Sequence, residues 1–250
     1  MTDLPVLVLA GSRDGDRDPL ARHGGVAHKA LLPVAGRPML ARVLDSLRAT
    51  PGLGTIHVST EAPDDLREVA GNVVFLPAAP GPSASVAQAI AACGTPLLVT
   101  TADHPLLRPV WIAEFLAESG ACDLAVAVAT RAVIERDVPG TKRTYIRLRD
   151  MRFSGCNLFL FATPASREVV RLWQRLERER KRPWRMAAIL GPTILLRAVT
   201  GTLTGTALCR HIERLTGARV RLVPMRDGKA AVDVDKPADL ALVERILSET

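Results

Sequence analysis

An unbroken apolar run, Leu4 to Ala10, stops at Gly11-Ser12. Val6, Leu7, Val8 and Leu9 follow one another without the polar alternation of a strand that keeps one face wet. The run reads as a strand buried on both faces, as in a parallel sheet. Such a sheet needs helices on both sides, so the chain is confined to the α/β class. Gly11 lets the backbone approach a ligand closely, and the amides of the loop after it can point at an anion. Arg13, Arg17, Arg22 and Lys29 bring positive charge to the same place. A glycine turn with solvated basic residues also occurs in α/β proteins that bind nothing there. The stretch is not a P-loop, because no Gly-Lys-Ser/Thr follows at the required spacing. It also lacks the third, helix-opening glycine of the dinucleotide fingerprint.

The chain has 250 residues, enough for one large domain or two small ones, and 48% of them are hydrophobic. A net charge of +7 suits an anionic partner, whether nucleotide, nucleic acid or acidic membrane surface. Aromatics make up only 4% and form no stacking ladder, which argues against a nucleic-acid partner. Cys93, Cys122, Cys156 and Cys209 are far apart with no CxxC pair, so neither a zinc site nor a disulfide framework is expected. No secretory pattern is visible at the start of the chain, and a reduced, cytoplasmic protein is the expectation.

Strands and helices alternate along the chain. Helical spacing of Met39, Leu40, Val43, Leu44 and Leu47 predicts a crossover helix over 38–48. Strands are predicted at 55–59, 73–76, 96–101, 123–129, 153–161, 220–224 and 230–235. Helices are predicted at 63–70, 86–92, 110–118, 166–181 and from Asp235 onward. This alternation implies right-handed βαβ units and a mostly parallel central sheet with helices on both faces.

Three further places carry candidate chemistry. Gly81, Ser83 and Ser85 precede a helix, where amides and hydroxyls either face a ligand or simply cap the helix. Asp103 lies at the carboxyl end of a buried strand, where open α/β sheets bind ligands. It either holds Mg2+, which uses one or two carboxylates beside phosphates, or caps the next helix. Near the end, Asp233 and Asp235 would share one face of a strand. Asp233 is then a candidate second carboxylate on the metal, and Asp235 a helix N-cap. His104 is expected to be structural.

The phrase Leu9-Ala10-Gly11-Ser12-Arg13, followed by Lys29-Ala30-Leu31-Leu32-Pro33-Val34-Ala35-Gly36-Arg37-Pro38, resembles the signature of the MobA-like NTP transferases, relatives of molybdenum-cofactor guanylyltransferase. Asp103-His104-Pro105-Leu106, Ser154-Gly155-Cys156-Asn157 and Asp233-Val234-Asp235-Lys236-Pro237-Ala238-Asp239-Leu240 match further phrases of that family in the same order. The resemblance implies a Rossmann-like, GT-A-type nucleotidyltransferase fold. It implies transfer of an NMP from an NTP, GTP or CTP, to a phosphorylated acceptor, with release of pyrophosphate.

By the same resemblance, the glycine loop (Leu9 to Ser12) and Lys29 hold the triphosphate, and either Arg13 or Arg17 supplies the family's arginine. Asp103 binds Mg2+, and the Gly81–Ser85 turn contacts base and sugar. Asn157 borders the acceptor pocket, where Lys142, Arg143 and Arg147 are inferred to face an anion.

The chain departs from the family at about 178–217. Arg178, Arg180, Lys181, Arg182, Arg185 and Arg197 flank Trp184 and an apolar stretch too short to span a bilayer. This segment is either a helix pair, broken at Gly191-Pro192 and packed on the core or a second subunit, or a peripheral contact with anionic membrane or a lipid-linked acceptor. Two other classes share the nucleotide-binding sheet. One is a glycosyltransferase using a nucleotide-sugar; the other is a non-catalytic nucleotide-binding or membrane-surface adaptor.

Overall fold

The computed structural model describes residues 3–12, 17–179 and 181–249. In chain order the elements begin with β1 (Leu4–Leu9), α1 (Pro19–Gly24), β2 (Pro33–Val34), β3 (Arg37–Pro38) and α2 (Met39–Arg48). Then come β4 (Leu53–Thr60), α3 (Pro63–Ala70), β5 (Val74–Pro77), α4 (Pro82–Cys93), β6 (Leu97–Thr101) and α5 (Pro109–Ser119). The middle holds β7 (Leu124–Thr130), α6 (Arg131–Asp137), β8 (Ile146–Arg147), β9 (Arg152–Phe161) and α7 (Ser166–Arg178). The chain closes with α8 (Pro183–Leu190), α9 (Pro192–Val199), α10 (Gly205–Thr216), β10 (Val220–Pro224) and α11 (Pro237–Ser248).

The sheet runs β10-β7-β9-β6-β1-β4-β5, with β8 paired on β9. β1 is parallel to both β4 and β6, β4 to β5, and β10 to β7. Among the described residues of this sheet, only β9, lying between β6 and β7, and its short partner β8 run antiparallel to their neighbours; β2 and β3 form a separate antiparallel pair. The mostly parallel α/β fold is therefore as expected from the alternation of elements. Val6, Leu7 and Val8 have no exposed surface. Val6 and Val8 pack into one core with Leu40, Leu44 and Phe115, while Leu7 joins Val86, Ile90 and Val170 on the other face. Helices α2 and α5 thus cover one face, and α4 and α7 the other. At about 1.5–3 kcal/mol per fully buried aliphatic side chain, Val6, Leu7 and Val8 contribute to closing both layers at once.

Three local expectations need correction. The loop before Lys29 contains helix α1, started by Asp18, whose carboxylate accepts from the amides of Leu20 and Ala21. Residues 230–235 are not a strand. A 3-10 turn (Gly228–Ala231) leads into extended chain that attaches to β6 through a single bond, Val234 N–H to Asp103 C=O at 2.9 Å. Consequently Asp235 does not cap the last helix. The N-cap is Lys236, and Asp239 accepts from the amides of both Asp235 and Lys236. Asp103 caps nothing either, since α5 begins after Arg108.

The helix pair broken at Gly191-Pro192 is present, but it is not packed on the core. Among its described side chains only Ile194 is buried.

At the far end of the sheet Asp123 ties three elements together. Its carboxylate accepts from the Thr163 hydroxyl at 2.6 Å and the Arg219 amide at 2.7 Å. The Thr163 bond, then the Arg219 amide, hold its pKa below the usual carboxylate value. A carboxylate with a depressed pKa contributes stability above its unfolded pKa and loses it as pH falls through the folded value. Asp123→Asn should therefore cost about 1.5–3 kcal/mol at pH 7. In urea melts that cost should shrink as pH is lowered below about 4; a cost independent of pH would contradict the assignment.

Candidate active site

The register of three parallel strands determines where the candidate residues meet. Leu9 stands opposite Ser59 on β4 and Thr101 on β6. Two residues beyond each lie Gly11, Glu61 and Asp103, side by side at the carboxyl edge of the sheet. Ala10 N–H bonds Ser59 C=O and Ala102 N–H bonds Leu9 C=O, both at 2.9 Å, so the alignment persists past the strand ends. Ala78, after β5, joins the row, its Cβ 3.3 Å from where a Cβ on Gly11 would lie. A side chain at position 11 would crowd Ala78 and Glu61.

Lys29 enters from a 3-10 turn (Lys29–Leu31) capped by His28, whose Nδ1 accepts from the Ala30 amide at 3.0 Å. His28 and Ala30 are buried on either side, which pins the lysine. Its Nζ lies 3.3 Å from Asp103 Oδ2 and 3.0 Å from Asp235 Oδ1. Asp103 Oδ1 accepts from the Thr101 hydroxyl at 2.5 Å. Burial opposes the charge on Lys29, but Asp103 and Asp235 outweigh it and raise its pKa, so the ammonium persists at neutral pH. Burial raises the pKa of Asp103. Lys29 and Thr101 oppose that rise, and Asp233 and Asp235 reinforce it.

Val234 holds the Asp103 carbonyl, so Asp233 and Asp235 stand on either side of that attachment. Asp233 turns to other partners. Arg143 Nη1 lies 2.8 Å from its Oδ1, and Asn157 Nδ2 donates to its Oδ2 at 3.0 Å. Asn157 sits in an irregularity of the β7–β9 pairing with φ +49°, a left-handed conformation that asparagine tolerates better than most residues. The bulge aims its amide away from the sheet and at the aspartate. Lys142, Arg143, Asn157, Asp233, Asp235 and Lys236 line a polar cavity of about 340 Å3. Lys142 is exposed and free to reorient, and Arg147 is exposed on β8.

Of the remaining candidates, Leu9, Ala10 and Gly11 line a small cavity of about 40 Å3 with Lys29 and Asp103. Ser12 follows directly, and its amide donates to both oxygens of Glu61, at 2.9 and 3.0 Å. Glu61 also lies 3.3 Å from His28 Nε2. Arg17 is exposed, and Arg13 lies outside the described residues. Gly81 is the N-cap of α4, and the amide and hydroxyl of Ser83 both donate to Glu177 of α7. Ser85 accepts from the Ala79 amide at 3.0 Å and shapes the turn. His104 is buried and stacked on Trp111, its centroid 6.1 Å away. Burial pulls its pKa down to about 4, so it is neutral at pH 7 and acts as a packing group.

The sequence reading missed Glu61, Glu177 and the pairing of Asp235 with Lys29. A charged residue directly after a central parallel strand was the available signal for Glu61. Nothing local pointed to the other two.

The donor set fits a hard cation. Asp103 and Asp235 offer carboxylate oxygens around Lys29, and Asp233 is close by. No group of three acidic, histidine or cysteine residues able to hold a metal occurs among the described residues.

Arg143 and Asp233 are both largely buried, at 11% and 18% side-chain exposure. Removing one partner of such a pair strands the other charge. Arg143→Met should lower stability by about 3 kcal/mol, and adding Asp233→Asn should restore most of it. Additive losses in a denaturant double-mutant cycle would mean the two side chains do not interact.

Residues 6–219 match the model of the MobA-like NTP transferase domain. A solved structure described as a hypothetical transferase from Thermus thermophilus is 31% identical, with a TM-score of 0.83 over 95% of this chain and 99% of that one. The 4-diphosphocytidyl-2C-methyl-D-erythritol synthase of Anaerococcus prevotii shares the fold at 11% identity, with a TM-score of 0.60 over 99% and 96% of the two chains. A CMP:2-keto-3-deoxy-manno-octonic acid synthetase solved with CTP shares it at 14% identity, with a TM-score of 0.59 over 98% and 99%. No functionally curated protein sequence matches.

Proposed function

The chain belongs to the MobA-like NTP transferase family, and from that premise we propose that it transfers an NMP from GTP or CTP to a phosphorylated acceptor, releasing pyrophosphate. The observation that carries this reading is the meeting of Lys29 with Asp103, 74 positions apart in sequence, beside a glycine loop whose Ser12 amide already holds a carboxylate. A cation, a cation-binding acid and an anion-accepting amide are what a triphosphate needs.

In the proposed reaction an acceptor phosphate oxygen attacks the α-phosphorus. A new P–O bond forms, the bond to the bridging α–β oxygen breaks, and pyrophosphate leaves with that electron pair. The nucleophile is already an anion, so no general base is required. The barrier lies in bringing anions together. Lys29 offsets the charge of the triphosphate, and the Ser12 amide donates to a phosphate oxygen in place of Glu61. Lys142, and Arg143 shared with Asp233, draw the acceptor into the adjoining cavity, while Asn157 fixes its wall. Asp103, with Asp235 or Asp233, would hold Mg2+, which when bound supplies charge neutralisation at the phosphates. The two serines near the start of α4 and the adjoining space beside α7 are the proposed base and sugar contacts. An NTP substrate and the unpaired cysteines fit a cytoplasmic setting.

Lys29→Ala and Asp103→Asn should each lower turnover by about 100- to 1,000-fold with the fold intact. Thermal melts against each of the four NTPs, with and without Mg2+, identify the base, since the true substrate raises the midpoint by mass action. A Mg2+-dependent rise with GTP or CTP that is lost in Asp103→Asn supports the reading. No response to any NTP transfers weight to a nucleotide-sugar donor.

A further inference from the structure

Helices α8 and α9 form an apolar hairpin whose outer face the rest of the protein leaves exposed. Trp184 is 66% exposed, Leu196 64% and Val199 78%. Leu195, Leu196 and Val199 lie at i, i+1 and i+4, on one face of α9, while Ile194 alone turns inward. Along α8, Trp184 and Ala188 are exposed, while Arg185, Met186, Ala187, Ile189 and Leu190 are half-buried. The hairpin is nevertheless held at both ends. His211 Nε2 lies 2.6 Å from the Leu190 carbonyl, and Leu203 is buried, its carbonyl accepting from the Arg149 amide at 2.7 Å. This is a fixed apolar surface facing water, which soluble monomers rarely keep without a partner.

Charge says what the partner is. From residue 180 to residue 212 the sequence contains no Asp or Glu, but six cations: Arg180, Lys181, Arg182, Arg185, Arg197 and Arg210. Arg185 lies over the Trp184 ring, 4.9 Å from its centroid. A two-fold contact between copies would press this patch against itself and oppose like charges. A negatively charged lipid surface instead neutralises the cations while Trp184, Leu196 and Val199 enter the headgroup region. No helix among the described residues is long and apolar enough to cross a membrane, so the contact is peripheral.

We propose that the α8–α9 hairpin docks this protein on anionic lipid bilayers. The proposal does not depend on the catalytic reading. It has a geometric consequence for that reading: α7, which runs into the hairpin, ends beside Ser83 at the carboxyl edge of the sheet. A docked hairpin therefore holds the candidate nucleotide side of the molecule close to the bilayer.

The test is vesicle flotation of the full chain on phosphatidylcholine vesicles with and without phosphatidylglycerol, at low and high salt. Binding is expected only with phosphatidylglycerol and should weaken with salt. Leu196→Ser/Val199→Ser, both exposed and so compatible with the fold, should weaken it by about tenfold or more with an unchanged melting midpoint. Tryptophan emission should shift to the blue on vesicle addition, and the shift should vanish in Trp184→Phe, which keeps Trp111 and Trp173. Absence of binding to phosphatidylglycerol vesicles overturns the proposal. So does equal binding by the serine variant, which reduces the effect to the overall positive charge. Concentration-dependent dimerisation without vesicles, abolished by the serine substitutions, would assign the patch to a second copy instead.

Discussion

The adjacency of β1 and β6 is the constraint on which the rest of the site depends. Parallel pairing of Leu9 with Thr101 puts the glycine loop and Asp103 at one level. The backbone bond from Val234 to Asp103 then brings the end of the chain to the same spot. Three segments separated by more than seventy residues thus deliver Lys29, Asp103 and Asp235 to one small volume. No local motif could do this. The parallel sheet does it because neighbouring strands end on the same edge, where their loops must converge.

The ions gathered there are poor stabilisers. Lys29 and Asp103, with side chains only 18% and 25% exposed, repay their desolvation only in part, while Asp235 stays largely in water. The rise in the pKa of Asp103, caused first by burial and reinforced by Asp233 and Asp235, records the same cost. Stability comes from the two apolar layers around β1, which is buried without exception through Val6, Leu7 and Val8. The charged edge is therefore a load that the core offsets, as expected where binding rather than folding sets the residue types.

Much of this could be read from sequence because it rests on local patterns. The run at β1, the helical spacing of α2 and the Gly191-Pro192 break each declare themselves within a dozen residues. Lys29, Asp103 and Asn157 were legible through the phrases that contain them. What was not legible rests on tertiary bonds. The antiparallel direction of β9 leaves no trace in its apolar pattern. Asp235 looked like a helix cap because Asp-Lys-Pro is a good cap sequence. The capping was taken over by Asp239, whose carboxylate reaches back to two amides and leaves Asp235 free to meet Lys29. Asp233, expected on the metal, is engaged at both oxygens by Arg143 and Asn157, from segments 90 and 76 residues away.

A common arrangement links the candidate binding groups. Lys29 is satisfied by Asp103 and Asp235, the Ser12 amide by Glu61, the Ser83 amide and hydroxyl by Glu177, and Arg143 by Asp233. Each of these donors is occupied by an acid of the chain itself. On the proposed reading, an entering phosphate would exchange partners instead of filling empty positions, and its affinity would be the difference between two sets of charge-assisted bonds. The exchange is selective. A ligand with a single negative charge gains little over a carboxylate already in place. A polyphosphate, with several oxygens placed on one chain, replaces more than one acid at once and gains from their linkage. The same acids keep the basic groups ordered and correctly aimed while the site is empty, so that little conformational entropy remains to be lost when such a ligand arrives.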